Sequence, residues 1–112
     1  MAAGEAPGQA RFTIAAGHPV FAGHFPGHPI VPAVMLLAEA LDAVAHSSGV
    51  PVDAWIVSSA KFIAPVGPDT TLVVAHSPTA SGNRRFEIRT GDGAPVASGT
   101  LDRRAGRSDD GG

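Results

Sequence analysis

Hydrophobic positions along this chain follow two periods. Residues Ala10 to Ala15 alternate around Phe12 and Ile14, the period-two pattern of a half-buried strand, and Gly17 ends it. From Ala33 to about Ser47 there is neither proline nor glycine. Val34, Met35, Leu37, Leu41 and Val44, with alanines at 38, 40, 43 and 45, leave little polar surface except at Glu39, Asp42 and His46, which predicts an apolar helix of roughly three to four turns. Gly49, suited to a left-handed cap, and Pro51 stop that helix. Strands are predicted over Ala54 to Phe62, Thr70 to Ser77, Arg85 to Thr90 and Val96 to Asp102. Turns at Gly67-Pro68-Asp69, Ser81-Gly82-Asn83 and Gly91-Asp92-Gly93 read as three hairpins joining them. An early strand, one central helix and a run of antiparallel strands is an α+β order, and curling the sheet around the helix is the economical way to bury it. The expected organisation is a single domain over residues 10–103 between flexible ends at 1–9 and 104–112.

Between the first strand and the helix lies Gly23-His24-Phe25-Pro26-Gly27-His28-Pro29-Ile30-Val31-Pro32. Prolines at 26, 29 and 32 fix φ and remove backbone donors, so residues 24–31 are extended or turning, and Pro32 suits the first helical turn. A stiff loop thus delivers His24 to the helix start. Phe21 is expected to pack beneath it. His24 and His28 have the spacing of a helical metal site, but Pro26, Gly27 and Pro29 exclude the helix, so neither metal nor other cofactor is expected. His18, His28, His46 and His76 read as ordinary turn, surface or strand residues.

Composition narrows the class further. At 44% hydrophobic and 16% charged, the 112 residues can build a core, while 14 glycines and 10 prolines call for many tight turns. A net charge of -2, without a run of arginines, argues against nucleic acid as the main partner. With no cysteine, a disulfide framework, a thiol nucleophile and thiolate zinc sites are excluded. No apolar run reaches the ~20 residues of a membrane span, and the first residues have neither a basic segment nor an apolar run, so no signal peptide or anchor is expected and the expected location is the cytoplasm.

The run His24-Phe25-Pro26-Gly27-His28-Pro29-Ile30-Val31-Pro32 ahead of an apolar helix resembles the active-site signature of the β-hydroxyacyl-acyl-carrier-protein dehydratases, which have the hot-dog fold. A weaker likeness continues over Ser59 to Leu72, where Gly67 and Pro68 stand in reversed order, and over Gly93 to Leu101. The resemblance implies a hydro-lyase that removes water from 3-hydroxyacyl thioesters, on acyl carrier protein or coenzyme A, in fatty-acid, polyene or polyketide-type synthesis. It implies that His24 is the catalytic base and acid, a role to which a histidine near neutrality is suited. The N–H groups of Ala33 and Val34, in the first helical turn, are the natural oxyanion donors. Phe25, Gly27, Pro32 and Ala38 complete the implied substrate-binding set. An apolar tunnel is expected beside His24, walled by Phe62, Ile63 and Met35.

The chain also departs from the pattern. Ala33 stands where the family has glycine, and Ala38 stands where it carries a helix carboxylate. Two acids are candidates to replace that carboxylate. Asp42 projects from nearly the face of position 38, one turn deeper, whereas Glu39 needs a local adjustment of the helix. The chain also reads as a shortened version, without the N-terminal helix and first strand of the family. A second reading is a non-catalytic hot-dog subunit that binds acyl chains or partners an active homologue; a thioesterase fits the loop less well. The expected assembly is at least a homodimer, because a hot-dog subunit has an exposed sheet edge and the family works across the dimer interface.

Overall fold

The computed structural model describes residues 8–21 and 30–104. His24, Phe25, Gly27 and His28 lie outside the described residues. The chain opens with strand β1 (Gln9–Thr13) and, after a 3-10 turn at Pro19–Phe21, reaches helix α1 (Ala33–Ser48). A second 3-10 turn, Val52–Ala54, leads into β2 (Trp55–Phe62), β3 (Thr71–Pro78), β4 (Arg84–Thr90) and β5 (Pro95–Arg103). The five strands form one antiparallel sheet in the order β1-β3-β4-β5-β2, the arrangement expected of a hot-dog domain with its single long helix.

Helix α1 presents Leu36, Ala40 and Val44, four residues apart, to the sheet. The sheet answers with every second residue of its inner strands: Leu72, Val74 and His76 on β3, Phe86 and Ile88 on β4, Ala97 and Leu101 on β5. The helix ends as its sequence predicts, with Gly49 left-handed at φ 76° and its N–H on the Ala45 carbonyl. At the other end Pro32 is the N-cap, with extended ψ 147°, rather than a residue of the first turn. Phe21 packs against the core.

Two of the three expected hairpins are present, β3–β4 and β4–β5. The third is corrected: β2 pairs with β5, and the chain from Ile63 to Thr70 crosses the end of the sheet to reach β3. Its path is set by backbone hydrogen bonds, Ile63 N–H to Val96 carbonyl (2.8 Å), Val31 N–H to Val66 carbonyl (2.8 Å) and Asp69 N–H to Ile14 carbonyl (2.8 Å). Asp69 takes a left-handed φ of 60°, tolerable for aspartate, and its carboxylate accepts the Ala16 N–H. A tight turn at residues 67–69 would have laid β3 beside β2. The crossover instead seals the sheet's end beneath the start of the helix, with Val31 and Val66 both buried.

Gly99 is where the backbone of β5 must stay bare. A methyl group there would meet the Ser59 carbonyl on one side and Phe86 Cε2 (2.7 Å) on the other. Ser59 lies at the β2 bulge, where the pairing with β5 shifts between Val57 and Ser59.

Candidate active site

The segment that ends in Ile30-Val31-Pro32 enters α1 without a side-chain cap. Proline offers no oxygen to the first turn, and the Pro32 carbonyl accepts the N–H groups of Met35 (3.0 Å) and Leu36 (3.3 Å). The N–H groups of Ala33 and Val34 therefore have no acceptor among the described residues, at the positive end of the helix dipole. They are two donors available to a developing negative charge.

Beside them opens a cleft of about 540 Å³ lined by Ile30, Val31, Pro32, Ala33 and Leu36 on one wall and Phe62 to Val66 on the other. Every lining side chain is apolar. Phe62 and Ile63 form part of the wall as expected, 45% and 49% exposed, whereas Met35 packs against the core and does not line the cleft. Ile30 and the run Ala64-Pro65-Val66 were not foreseen as lining. The signal for them was present in Phe62-Ile63-Ala64-Pro65-Val66, five apolar residues in a row with no alternation, more than one face of an edge strand can bury.

The helix acids lie elsewhere. Glu39, Asp42 and His46 follow one another at intervals of three and four residues and border a groove between α1 and β1, with Gln9, Arg11 and Phe12 opposite. Glu39 is half-buried, and burial, then repulsion by Asp42, raises its pKa above the ordinary glutamate value. Asp42 is exposed, as are Ala38 and Val34, the last 72% exposed. Ala38 and Asp42 are thus both open to solvent, while Glu39, half-buried, shares the β1 groove with Asp42. The helix runs without interruption from Ala33 to Ser48, so no local reset brings Glu39 to the cleft. Within one copy, neither acid joins the apolar cleft.

His76, read as an ordinary residue, is buried at 7% exposure. Arg84 Nη1 donates to its Nδ1 at 3.2 Å, and since a guanidinium can only donate, that nitrogen carries no proton. Burial first, and the Arg84 charge second, hold its pKa below the ordinary histidine value. Its place was legible in the alternation Leu72-Val74-His76.

Among solved structures, the chain is similar to the Dehydratase Heterocomplex ApeI:P from Xenorhabdus doucetiae, at 20% identity and TM-score 0.68 over 88% of this chain and 89% of that one. It is similar also to an uncharacterised protein from Erwinia carotovora subsp. atroseptica, at 23% identity and TM-score 0.67 over 84% and 79%. These likenesses concern the fold. In sequence, the chain is 38% identical over 64 residues to the 3-hydroxyacyl-[acyl-carrier-protein] dehydratase FabZ of Thermus thermophilus, covering 50% of this chain and 45% of that protein. Against the FabZ of Campylobacter concisus it is 39% identical over 69 residues, covering 50% and 47%. The chain spans about half the length of the curated relatives it matches. A family model described as ApeI-like, ApeI dehydratase, matches residues 3–100, which takes in the signature segment, the helix and all five strands but the end of β5. On that span the chain belongs to the ApeI-like dehydratase family.

Proposed function

We propose that this chain is a subunit of a 3-hydroxyacyl-thioester dehydratase, with the acyl chain in the apolar cleft and the thioester oxygen on the N–H groups of Ala33 and Val34. The observation that carries the reading is the coincidence of an all-apolar cleft with two backbone donors left open by a proline N-cap. His24, immediately ahead in the sequence, removes the α-proton and returns a proton to the departing hydroxyl. The carbon–oxygen bond breaks, the 2-enoyl thioester forms, and water leaves.

Assembly supplies what one copy lacks. The outer edge of β2 is unpaired among the described strands, and residues 58–65 are exposed in succession. Phe62 and Ile63 in that stretch make an apolar rim beside an open row of backbone donors and acceptors, and Val34 at the start of the helix is likewise exposed. The outer sheet face, by contrast, is polar, with Gln9, Ser77, Arg85, Glu87 and Arg89. Two copies therefore pair edge to edge through β2, with Val34 and Ala38 left exposed on each helix. Asp42, one turn beyond Ala38, is the candidate for the carboxylate that assists His24.

The deciding experiment is hydration of 2-enoyl thioesters followed by loss of the enoyl absorbance, on wild type and His24→Ala. Activity that disappears in a folded His24→Ala protein supports the reading; equal activity in both refutes the role of His24. A second reading, a binding or partner subunit without chemistry of its own, is favoured by Ala38, an exposed methyl group at the carboxylate position. Wild type that is inert while Ala38→Glu is active supports that one.

A further inference from the structure

The apolar cleft has a closed end. Of the residues that line it only Val31, Leu36 and Val66 are buried, while Phe62 to Pro65 are exposed and form its mouth. At the closed end the two walls are joined, because the Val31 N–H donates to the Val66 carbonyl at 2.8 Å. The crossover wall is also pinned nearer the mouth. There the N–H groups of Ile63 (2.8 Å) and Ala64 (3.3 Å) both reach the carbonyl of Val96, a buried residue of β5. Leu36 is held from the other side by the core its helix packs on. The crossover cannot retreat without breaking these bonds, nor Leu36 without opening the core, so the inner end has a set depth.

That depth is small. The Ala33 N–H is two residues from Val31, and since extended chain covers about 3.5 Å per residue, the two are at most about 7 Å apart. Along the helix Leu36 is three residues beyond Ala33, a rise of about 4.5 Å on the same face. Val31 before the donor, Leu36 after it and Val66 across from them thus close round a short apolar space. A saturated chain with bonds of about 1.5 Å advances about 1.3 Å per carbon, so about five carbons beyond the thioester carbonyl fill it. The rest of the 540 Å³ opens among exposed residues and accommodates the thioester and the start of its carrier arm.

We infer that the cleft selects short acyl groups, up to about six carbons in all, and that Val31, Leu36 and Val66 set this limit. The inference rests on the acyl-cleft reading above and adds to it the size of the substrate. It needs no second copy, since all three residues belong to one chain. Longer chains gain nothing at the closed end, because their further carbons stay in water or on the exposed rim.

Saturated S-acyl-pantetheines test the limit by binding alone, since they have neither a hydroxyl group to lose nor a double bond to hydrate. Titration calorimetry on the butanoyl, hexanoyl, octanoyl and decanoyl compounds gives the affinity at each length. A buried CH2 contributes about 0.8 kcal/mol, or about fourfold, so binding should tighten roughly fifteenfold from butanoyl to hexanoyl. From hexanoyl to decanoyl the gain should be less than about twofold, the further carbons being unburied. Val66→Ala keeps the backbone bond to Val31 but removes two methyl groups from the closed end, and should carry the climb on to octanoyl. Val66→Leu fills the same space and should end the climb at butanoyl. Phe62→Ala, at the mouth, should leave the break at hexanoyl. Affinity that climbs evenly to decanoyl in the wild type overturns the inference, as does a break that neither Val66 variant moves. Either result in a protein that hydrates 2-enoyl thioesters leaves the dehydratase reading intact. A break at hexanoyl in a protein without hydration activity refutes that reading and leaves the size limit standing.

Discussion

Replacing Gly99 by alanine tests the closest backbone approach in the sheet. The added methyl group is caught between the Ser59 carbonyl and the ring of Phe86, whose Cε2 and Cζ lie 2.7 and 2.8 Å from its position. Neither neighbour can move freely. Ser59 is backbone at the bulge that sets the β2–β5 register, and Phe86 is 1% exposed in the middle of the core. Overpacking ordinarily costs about 1–3 kcal/mol, and with both sides pinned the upper end, about 3 kcal/mol, is expected. For a domain of this size that lowers the melting temperature by roughly 10–20 °C. Urea and thermal unfolding followed by Trp55 emission measure it directly, because Trp55 begins the strand that Gly99 approaches. Phe86→Leu removes the ring edge and alone should cost about 1–2 kcal/mol. If the ring is the main obstacle, the double variant will be more stable than the sum of the single losses predicts; if the Ser59 carbonyl is, the losses will add. A Gly99→Ala protein within about 0.5 kcal/mol of wild type would refute the close approach and the register built on it.

On thioester hydration, Asp42→Asn should reduce activity far more than Glu39→Gln, since Asp42 is exposed one turn beyond Ala38 on nearly the same face, whereas Glu39 is half-buried and rotated about 100° from it; steady-state rates with the order reversed would refute the proposed placement. Folding stability should fall on acidification from about pH 6.5, the unfolded histidine value, because the folded pKa of His76 is depressed and the unfolded chain takes up the proton first. Urea midpoints measured across pH 5 to 8 in wild type and His76→Gln check the sign, the slope being shallower in the variant. Glu39→Gln should raise stability at neutral pH, where burial and Asp42 both disfavour the Glu39 charge, and should do so less near pH 4.5, the ordinary glutamate value. Sedimentation at micromolar concentration should show a dimer that Ala60→Arg and Phe62→Arg weaken; a monomer of 11.3 kDa in wild type refutes the edge pairing.

What the sequence disclosed follows from which forces are local. Alternation placed β1, and runs rich in β-branched and aromatic residues between turn signals placed the other four strands, all to within a residue or two, while the stretch free of proline and glycine placed α1. The partner of β2 was not legible. Gly67-Pro68-Asp69 has turn chemistry, but Asp69 spends it on gripping Ile14 and Ala16 across the sheet end rather than on closing a hairpin. The start of the site was readable from Pro32, since a proline N-cap leaves donors open whatever the rest of the fold does. The opposite wall was harder: the apolar run Phe62 to Val66 signals burial beyond one strand face, but its place under the helix is set by the crossover, a long-range outcome. His76 could have been placed from its register with Leu72 and Val74; its Arg84 partner depends on the β3–β4 pairing.

The crossover also governs how the chain can assemble. Strand β2 is made early in the sequence, yet it pairs only with β5, the last strand, across separations of about 40 residues. While β3 and β4 can zip as a local hairpin, β2 must wait with its backbone unsatisfied and Phe62 and Ile63 uncovered until β5 is inserted between it and β4. The late step of folding is therefore the arrival of a central strand, and during synthesis the nascent chain carries two open edges of β2 where the finished subunit carries one. Folding rate, and losses to aggregation, should accordingly respond to changes in β5 more than to equal destabilisation of the β3–β4 hairpin.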